Sequence, residues 1–252
     1  MVDAASEDVA AALLHVLARV QQHHEERLQD PQLGRALAHL AAWQVRRLRN
    51  TYADLQALPR YASAMAFFET DLYGGGDFAQ RDADLARVVP GMKRLLPDHV
   101  LRTVADAVEL NVIAQDFDRA MTGQLRPHEL AFTVAEYCAA YRKVGRFDER
   151  RRQIRLISDV GAALDRLVRK RMIRSALMLM RKPAELAGLH ALQNFLERGF
   201  AAFAHMGGAK AFLATVETRE LAIVDAIAAG SDAPFPDPLP ERVEAAQADR
   251  VG

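Results

Sequence analysis

The sequence has little of what marks secreted, metal-binding or membrane-spanning proteins. It contains one cysteine, Cys138, in 252 residues. A single thiol excludes an internal disulfide and a site built on several cysteines, and it is typical of a reducing cytosol. No apolar run approaches the roughly 20 residues that cross a bilayer. The first residues include Asp3, Glu7 and Asp8 instead of a basic region, unlike a signal peptide. We therefore expect a cytoplasmic protein without a membrane span.

The composition predicts an all-α fold. Alanine, leucine, arginine, glutamate and glutamine dominate the chain, and all of them favour helices. No segment shows the alternation of apolar and polar residues that is typical of a strand. Half of the residues are hydrophobic, so a chain of this length can bury a sizeable core.

Proline, glycine and capping residues divide the sequence into about ten predicted helices. Asp30 before Pro31 is typical of a helix start, and Asp77 with Gln80 fits a capping box. Pro90 is expected to bend or break its helix. The predicted ranges are 6–27, 31–57, 60–73, 77 to the region of Pro90, 97–123, 127–145, 147–169, 172–180, 183–207 and a last helix ending at 230. We expect one helical domain, 1–230, and a Pro-rich, flexible tail, 231–252.

Polar residues interrupt several apolar helix faces. Steps of 100° per residue place Glu220 within the apolar arc of the last helix and Asp82 within that of the fourth. A buried carboxylate needs a partner, and the candidate cations are Arg47, Arg81, Arg181 and Arg219. Together with neighbouring positions, the candidate polar cluster comprises Asp82, Glu220, His190, Glu197, Gln193, Gln44 and Arg181. These side chains either form structural ion pairs between helices or line one polar pocket.

Signatures of metal and cofactor sites are weak. No histidine follows a glutamate by three residues, as di-iron helical bundles require, so we predict no metal site. Methionines and phenylalanines of the later helices either fill gaps in the core or line an apolar cavity for a haem, a lipid or a similar ligand. The sequence does not identify a cofactor.

Positive charge is concentrated in one segment although the chain is neutral overall. The net charge is −5 for residues 1–141, +10 for 142–182 and −5 for 183–252. The candidate basic patch comprises Arg146, Arg150, Arg151, Arg152, Arg155, Arg166, Arg169, Lys170, Arg171 and Arg174. Three interpretations are open: neutralisation within the molecule or by a second copy, an acidic protein partner, or nucleic acid. Few aromatic residues interleave with the patch, which weakens the nucleic-acid interpretation.

The segment from Phe67 to Tyr73, with the sequence FFETDLY, combines aromatic residues and carboxylates just before three glycines. It resembles the motif of the uncharacterised bacterial "FFLEELY motif" proteins, although Glu69-Thr70-Asp71 stands where that motif has Leu-Glu-Glu. The similarity continues over roughly residues 40–225, at Arg81-Asp82-x-Asp84-Leu85, Pro90-x-Met92, Leu95-Leu96-Pro97, Tyr141-Arg142-x-Val144-Gly145, Met180-Arg181-x-Pro183-Ala184 and Leu192-Gln193-x-Phe195-Leu196-Glu197-x-Gly199-Phe200. The resemblance implies a small helical protein of proteobacterial type, and it implies no activity.

The sequence does not determine a function. Our leading hypothesis is a helical protein that assembles with itself or with another protein, through the basic segment and an apolar groove. The first alternative is a small-molecule-binding protein or enzyme with Asp82, Glu220, His190 and Glu197 around one pocket. The second alternative is nucleic-acid binding through residues 142–182.

Overall fold

The computed structural model describes residues 4–72, 79–125 and 132–238. Their regular structure is entirely helical, with twelve α-helices and one π-helical turn, and the predicted all-α fold is confirmed for these residues. The helices are α1 (Ala4–Gln29), α2 (Pro31–Thr51), α3 (Ala53–Gln56), α4 (Pro59–Phe67), α5 (Ala79–Leu95), α6 (Asp98–Thr122), α7 (Val134–Val144), α8 (Phe147–Val168), α9 (Arg171–Leu179), α10 (Arg181–Leu186), α11 (His190–His205) and α12 (Lys210–Ala228). The π turn, Phe68–Leu72, directly continues α4.

Local capping explains where several helices start. The Asp30 carboxylate accepts hydrogen bonds from the backbone N–H groups of Gln32 and Leu33 at the start of α2, as its position before Pro31 predicts. Thr133 and Glu136 form a reciprocal capping box at the start of α7. These contacts satisfy backbone donors that have no partner inside the helix.

Three helix boundaries differ from the predicted ones. Tyr52 separates α2 from α3. Gly188, with φ of 68°, turns the chain between α10 and α11, so the single helix predicted over 183–207 is divided. Pro90 lies inside α5 without ending it. Helix α5 packs against α1 and α11, and this tertiary packing outweighs the lost backbone hydrogen bond.

Some predicted features lie outside the described residues. They are the Asp77 cap, the glycine stop at 74–76, Phe78, the Pro127 helix start and the part of the predicted tail at 239–252. Residues 231–238 are described, and Phe235 is buried with its ring centroid 5.9 Å from that of Trp43. The first residues of the predicted tail therefore pack on the helical core.

Most buried apolar side chains of the described residues belong to three clusters. The first surrounds Trp43, with Tyr137, Cys138 and Ile227 among its members. The second joins α2 and α4 to α11 and α12 around Phe212. The third lies between α1, α5 and α6. In the part of the chain that the structure describes, no helix is both long enough and apolar enough to cross a membrane.

Candidate functional site

The motifs that carry the family resemblance meet where α4 and its π turn pack on α11. The rings of Phe67 and Phe195 lie 5.4 Å apart between their centroids. A Cβ atom built on Gly199 would lie 2.9 Å from Cζ of Phe67, which is too close for any residue with a side chain unless Phe67 moves. Gly199 therefore allows α11 to approach the aromatic end of α4.

The π turn buries two carboxylates. Glu69 and Asp71 are each only 6% exposed. Glu69 accepts a hydrogen bond of 2.7 Å from Nε of Arg49, and Asp71 accepts one of 3.1 Å from Nε of Arg198. Steps of 100° per residue place Glu69 about 40° from Met65 and Asp71 about 20° from Ala64, and both of these apolar residues are buried. The sequence therefore carries a signal for the two carboxylates, although the predicted candidate cluster omits them.

Asp84 joins α5 to the first turn of α11. Its side chain is fully buried. It accepts a hydrogen bond of 2.7 Å from the Gln80 amide and one of 3.4 Å from the backbone N–H of Leu192. A buried carboxylate next to a helix N-terminus is favoured by the helix dipole. The motif at residues 81–85 signals this position, although the predicted candidate cluster contains Asp82 and not Asp84.

Three predicted polar residues, Arg181, Gln193 and Glu197, come together between α10 and α11. Arg181 donates to both carboxylate oxygens of Glu197, with Nε 2.9 Å from Oε1. The Gln193 amide donates to Glu197 Oε1 at 2.8 Å and to the backbone oxygen of Leu177 in α9 at 2.8 Å. Arg181, followed by Gln193, lowers the pKa of the Glu197 carboxyl. The contacts tie α9 and α10 to α11.

Glu220 and Asp82 each contact an arginine, in different parts of the fold. The Glu220 carboxylate, on α12, lies 2.5 Å from Nη1 of Arg47 on α2 and also accepts a hydrogen bond from the Tyr52 hydroxyl. Asp82 lies 2.8 Å from Arg81, its neighbour on α5. Both carboxylates are largely buried, with side chains about 15% exposed. They therefore act as partners of arginines and satisfy the requirement for a counter-charge.

The other two predicted polar residues have different surroundings. The Gln44 amide donates a hydrogen bond of 2.9 Å to Asp118 on α6. Burial raises the pKa of the Asp118 carboxyl to about 6, although the Gln44 hydrogen bond acts in the opposite direction. His190 is exposed at the start of α11. Glu220 contacts Arg47 and Tyr52, whereas Glu197 contacts Arg181 and Gln193, so these two carboxylates have different partners.

Arg150, a member of the predicted basic patch, lies inside the protein. Its guanidinium carbon lies 3.6 Å from the centroid of the Tyr141 ring and 4.1 Å from that of Phe117. The side chain is therefore held between two aromatic faces. Tyr141 and its neighbour Tyr137 are buried, and burial raises the pKa of both hydroxyls, so they stay neutral.

The remaining nine residues of the predicted basic patch divide into two groups. Four of them form ion pairs with carboxylates of the same chain: Arg146 with Glu149, Arg151 with Asp148 and Asp225, Arg152 with Glu109, and Arg169 with Asp165. The other five are exposed and have no ion pair with any residue that the structure describes: Arg155, Arg166, Lys170, Arg171 and Arg174. Three of these five lie at or next to the start of α9.

Helices α9 and α10 expose an unusual number of large apolar side chains, and we name this region the α9–α10 surface. Met172, Leu179 and Leu186 are 80%, 78% and 90% exposed. Met178 and Met180 are also exposed. No residue of α9 is buried. A concentration of exposed apolar side chains of this kind marks an interaction site more often than single exposed leucines do.

Side chains of α5 and α11 hydrogen-bond to the α9–α10 surface and attach it to the rest of the fold. Gln193 holds the backbone of α9, and Glu197 holds Arg181 of α10. Arg87 on α5 donates a hydrogen bond of 3.0 Å to the backbone oxygen of Ala187, directly after α10. Ala184 is the buried residue of α10. The surface therefore has fixed polar attachments on α5 and α11, although it contributes few residues to the core.

Groups suited to metal binding or thiol chemistry are scarce. Among residues 4–72, 79–125 and 132–238, no three His, Cys, Asp or Glu side chains are grouped so that they could hold a metal ion. Burial raises the pKa of the Cys138 thiol to about 11, so it is protonated and a poor nucleophile at neutral pH.

These features define an all-α protein with an exposed amphipathic element that polar contacts hold on a helical core. The chain belongs to the family described as "Domain of unknown function (DUF8198)", whose model matches residues 21–234. The match includes α2 to α12 and the C-terminal part of α1. No curated protein and no solved structure matches the chain.

Proposed function

We propose that this protein acts by binding another protein chain through the α9–α10 surface. The observation that carries the proposal is the exposure of Met172, Leu179 and Leu186 on an element whose backbone is tied to α11 and α5. Exposed apolar side chains lower the free energy of a complex when a partner covers them. A fixed backbone reduces the entropy that is lost on binding.

The other two hypotheses have less support. Nucleic-acid binding through the predicted patch could use only five of its ten residues, because Arg150 is buried and four others are engaged in ion pairs. A catalytic pocket needs its acidic and basic groups within reach of one substrate. Glu220 pairs with Arg47 between α12 and α2, whereas Asp82 pairs with Arg81 within α5.

We further propose that the chain is a cytoplasmic bacterial protein related to the FFLEELY motif proteins. The single, buried Cys138 supports a reducing compartment. The aromatic and acidic motif residues support the relationship, because those of α4, α5 and α11 come together in the fold.

Site-specific photo-crosslinking tests the proposed contact. A photoreactive amino acid replaces Leu179 in one variant and Leu28 in a matched control, because Leu28 is also strongly exposed (68%) but lies on α1. Illumination of cells that produce each variant should give a discrete protein adduct from position 179 and none of that mass from position 28. An adduct of twice the chain's mass would identify a second copy as the partner. The absence of any adduct specific to position 179 would contradict the proposal.

A further inference from the structure

Helix α9 has an apolar face that is wider than the part covered by the fold. Ile173 and Leu177 are partly buried and lie on the side that faces the protein. Met172, Ala176 and Leu179 follow one another at spacings of four and three residues, so they form a second stripe beside the first. All three are exposed. The uncovered stripe has the length and spacing of a contact with one further helix.

Unpaired cations lie at the start of α9, on the flank of its exposed side opposite this stripe, and on α10. Lys170, Arg171, Arg174 and Lys182 are all exposed and form no ion pair with the described part of the chain. Arg181 is also basic but already holds Glu197, and the one acid of α10, Glu185, is exposed and forms no ion pair with the described part of the chain. Residues 170–188 therefore have five basic side chains against one acidic side chain, and charge complementarity favours an acidic partner.

The same charges disfavour a symmetric pair of this protein's own chains. In a twofold dimer each surface meets its own copy, so the excess positive charge of residues 170–188 would meet the same excess on the second chain. Like charges brought together in this way oppose association. A second copy that uses this face is therefore a poorer occupant than a different, acidic chain.

The composition of the surface also favours a protein over a lipid bilayer. Helices that lie on membranes usually insert aromatic side chains among their apolar residues. Residues 170–188 contain no aromatic residue, and three of their five exposed large apolar side chains are methionines. Methionine is flexible and polarizable, and it is common on surfaces that bind the apolar faces of partner helices.

We infer that the α9–α10 surface binds an acidic amphipathic helix of a different protein. This inference rests on the proposed function and specifies its partner. Leucines of the partner helix cover Met172, Ala176 and Leu179 on one flank of the exposed side of α9, and its glutamates lie toward Arg171 and Arg174 on the other flank. The contact therefore combines apolar burial, which supplies affinity, with a charge pattern that selects the partner.

A designed peptide pair tests the inference. The probe is a fluorescent, side-chain-stapled helix with leucines on one face and glutamates on both flanks, and the control replaces every glutamate by lysine. Stapling is needed because short helices are marginal in water. Fluorescence anisotropy with the full-length protein should show binding of the acidic peptide about tenfold or more tighter than that of the basic one, with the difference shrinking as salt rises. Leu179→Gln should weaken binding of the acidic peptide about tenfold, and Leu28→Gln should leave it unchanged.

A charge exchange separates this inference from the proposed function. The double variant Arg171→Glu/Arg174→Glu should bind the basic peptide more tightly than the acidic one. Equal binding of both peptides with the same sensitivity to Leu179→Gln would overturn the acidic partner but retain the protein-binding surface. No binding of either peptide would overturn the helical partner, and the crosslinking result would then decide the proposed function alone. Binding to vesicles with phosphatidylserine, lost in Leu179→Gln and accompanied by no peptide binding, would replace the protein partner with a membrane.

Discussion

Four arginines that all lie on helices occupy two contrasting environments, the core and the exposed surface. Arg47 and Arg150 lie in the core, where the first is paired with Glu220 and the second lies between Phe117 and Tyr141. Arg171 and Arg174 lie on the exposed α9 with no ion pair among the described residues. The comparison shows that basic residues clustered in the sequence need not lie together on the surface of the folded protein. The core arginines hold helices together, and only the second group is free to meet a partner.

The largest expected effect comes from breaking the core ion pair. Glu220→Ala leaves Arg47 without its carboxylate in a largely buried site, so we expect a loss of about 3–5 kcal/mol in the free energy of unfolding. The double variant Arg47→Met/Glu220→Met removes both charges and should lose far less. Urea denaturation of both variants measures the difference. A loss below about 1 kcal/mol in Glu220→Ala would show that the core and surface arginines are not energetically different.

The second effect depends on pH and concerns Asp118, whose carboxyl interacts electrostatically with Arg150. Its folded-state pKa of about 6 lies above the ordinary value of 3.8, so the folded protein binds the proton more tightly than the unfolded chain does. Its contribution to stability is therefore present at low pH and is lost as the pH rises from about 4 to 6. We expect Asp118→Asn to increase the free energy of unfolding by about 1–3 kcal/mol at pH 8 and to change it little at pH 4. An equal change at both pH values would contradict this assignment.

A smaller effect tests how firmly the α9–α10 surface is held. Gln193→Leu removes the hydrogen bond to the Leu177 carbonyl, at a cost of about 1 kcal/mol. Amide hydrogen exchange in residues 171–180 should then accelerate about fivefold, while exchange in the Trp43 core should not change. Asn194→Leu is the control, because Asn194 is the exposed neighbour of Gln193 on the same helix. Equal acceleration in both variants would show that α11 does not hold α9 through Gln193.

The smallest effect is expected for the surface arginines themselves. Arg171→Ala and Arg174→Ala should each change the free energy of unfolding by less than about 0.5 kcal/mol, because neither side chain forms an ion pair with a residue that the structure describes. The same denaturation experiment that measures Glu220→Ala gives these values. A loss near that of Glu220→Ala would mean that α9 is part of the folding core, which would end the contrast between the two groups of arginines.

Helix type and most helix boundaries were predictable because they depend on local signals. Asp30 and Pro31 mark the start of α2 in the sequence and in the structure. Glu220 was recognised within an apolar arc because α12 is regular, with Ile223, Val224 and Ile227 buried as its wheel predicts. Local periodicity is sufficient where a helix is uninterrupted.

Two of the buried polar residues that the predicted cluster omits have a local signal, and the others depend on tertiary contacts. On a regular wheel, Glu69 and Asp71 lie about 40° and 20° from the buried Met65 and Ala64. Asp84 is buried because α11 begins above it, which is a contact between residues 108 positions apart. Arg150 was assigned to a surface patch because its sequence neighbours are basic. Only the tertiary arrangement places Phe117 and Tyr141 around it.

Methionine footprinting tests the central claim, that a partner covers the α9–α10 surface, most directly. Met172, Met178 and Met180 are exposed, whereas Met65, Met121 and Met206 are buried and serve as internal controls. Oxidation to the sulfoxide follows solvent exposure, so the first three should react quickly in the purified protein. We predict that the same three methionines react several times more slowly in intact cells, while the buried controls react slowly in both. Equal oxidation rates of Met172 and Met180 in cells and in the purified protein would contradict the claim.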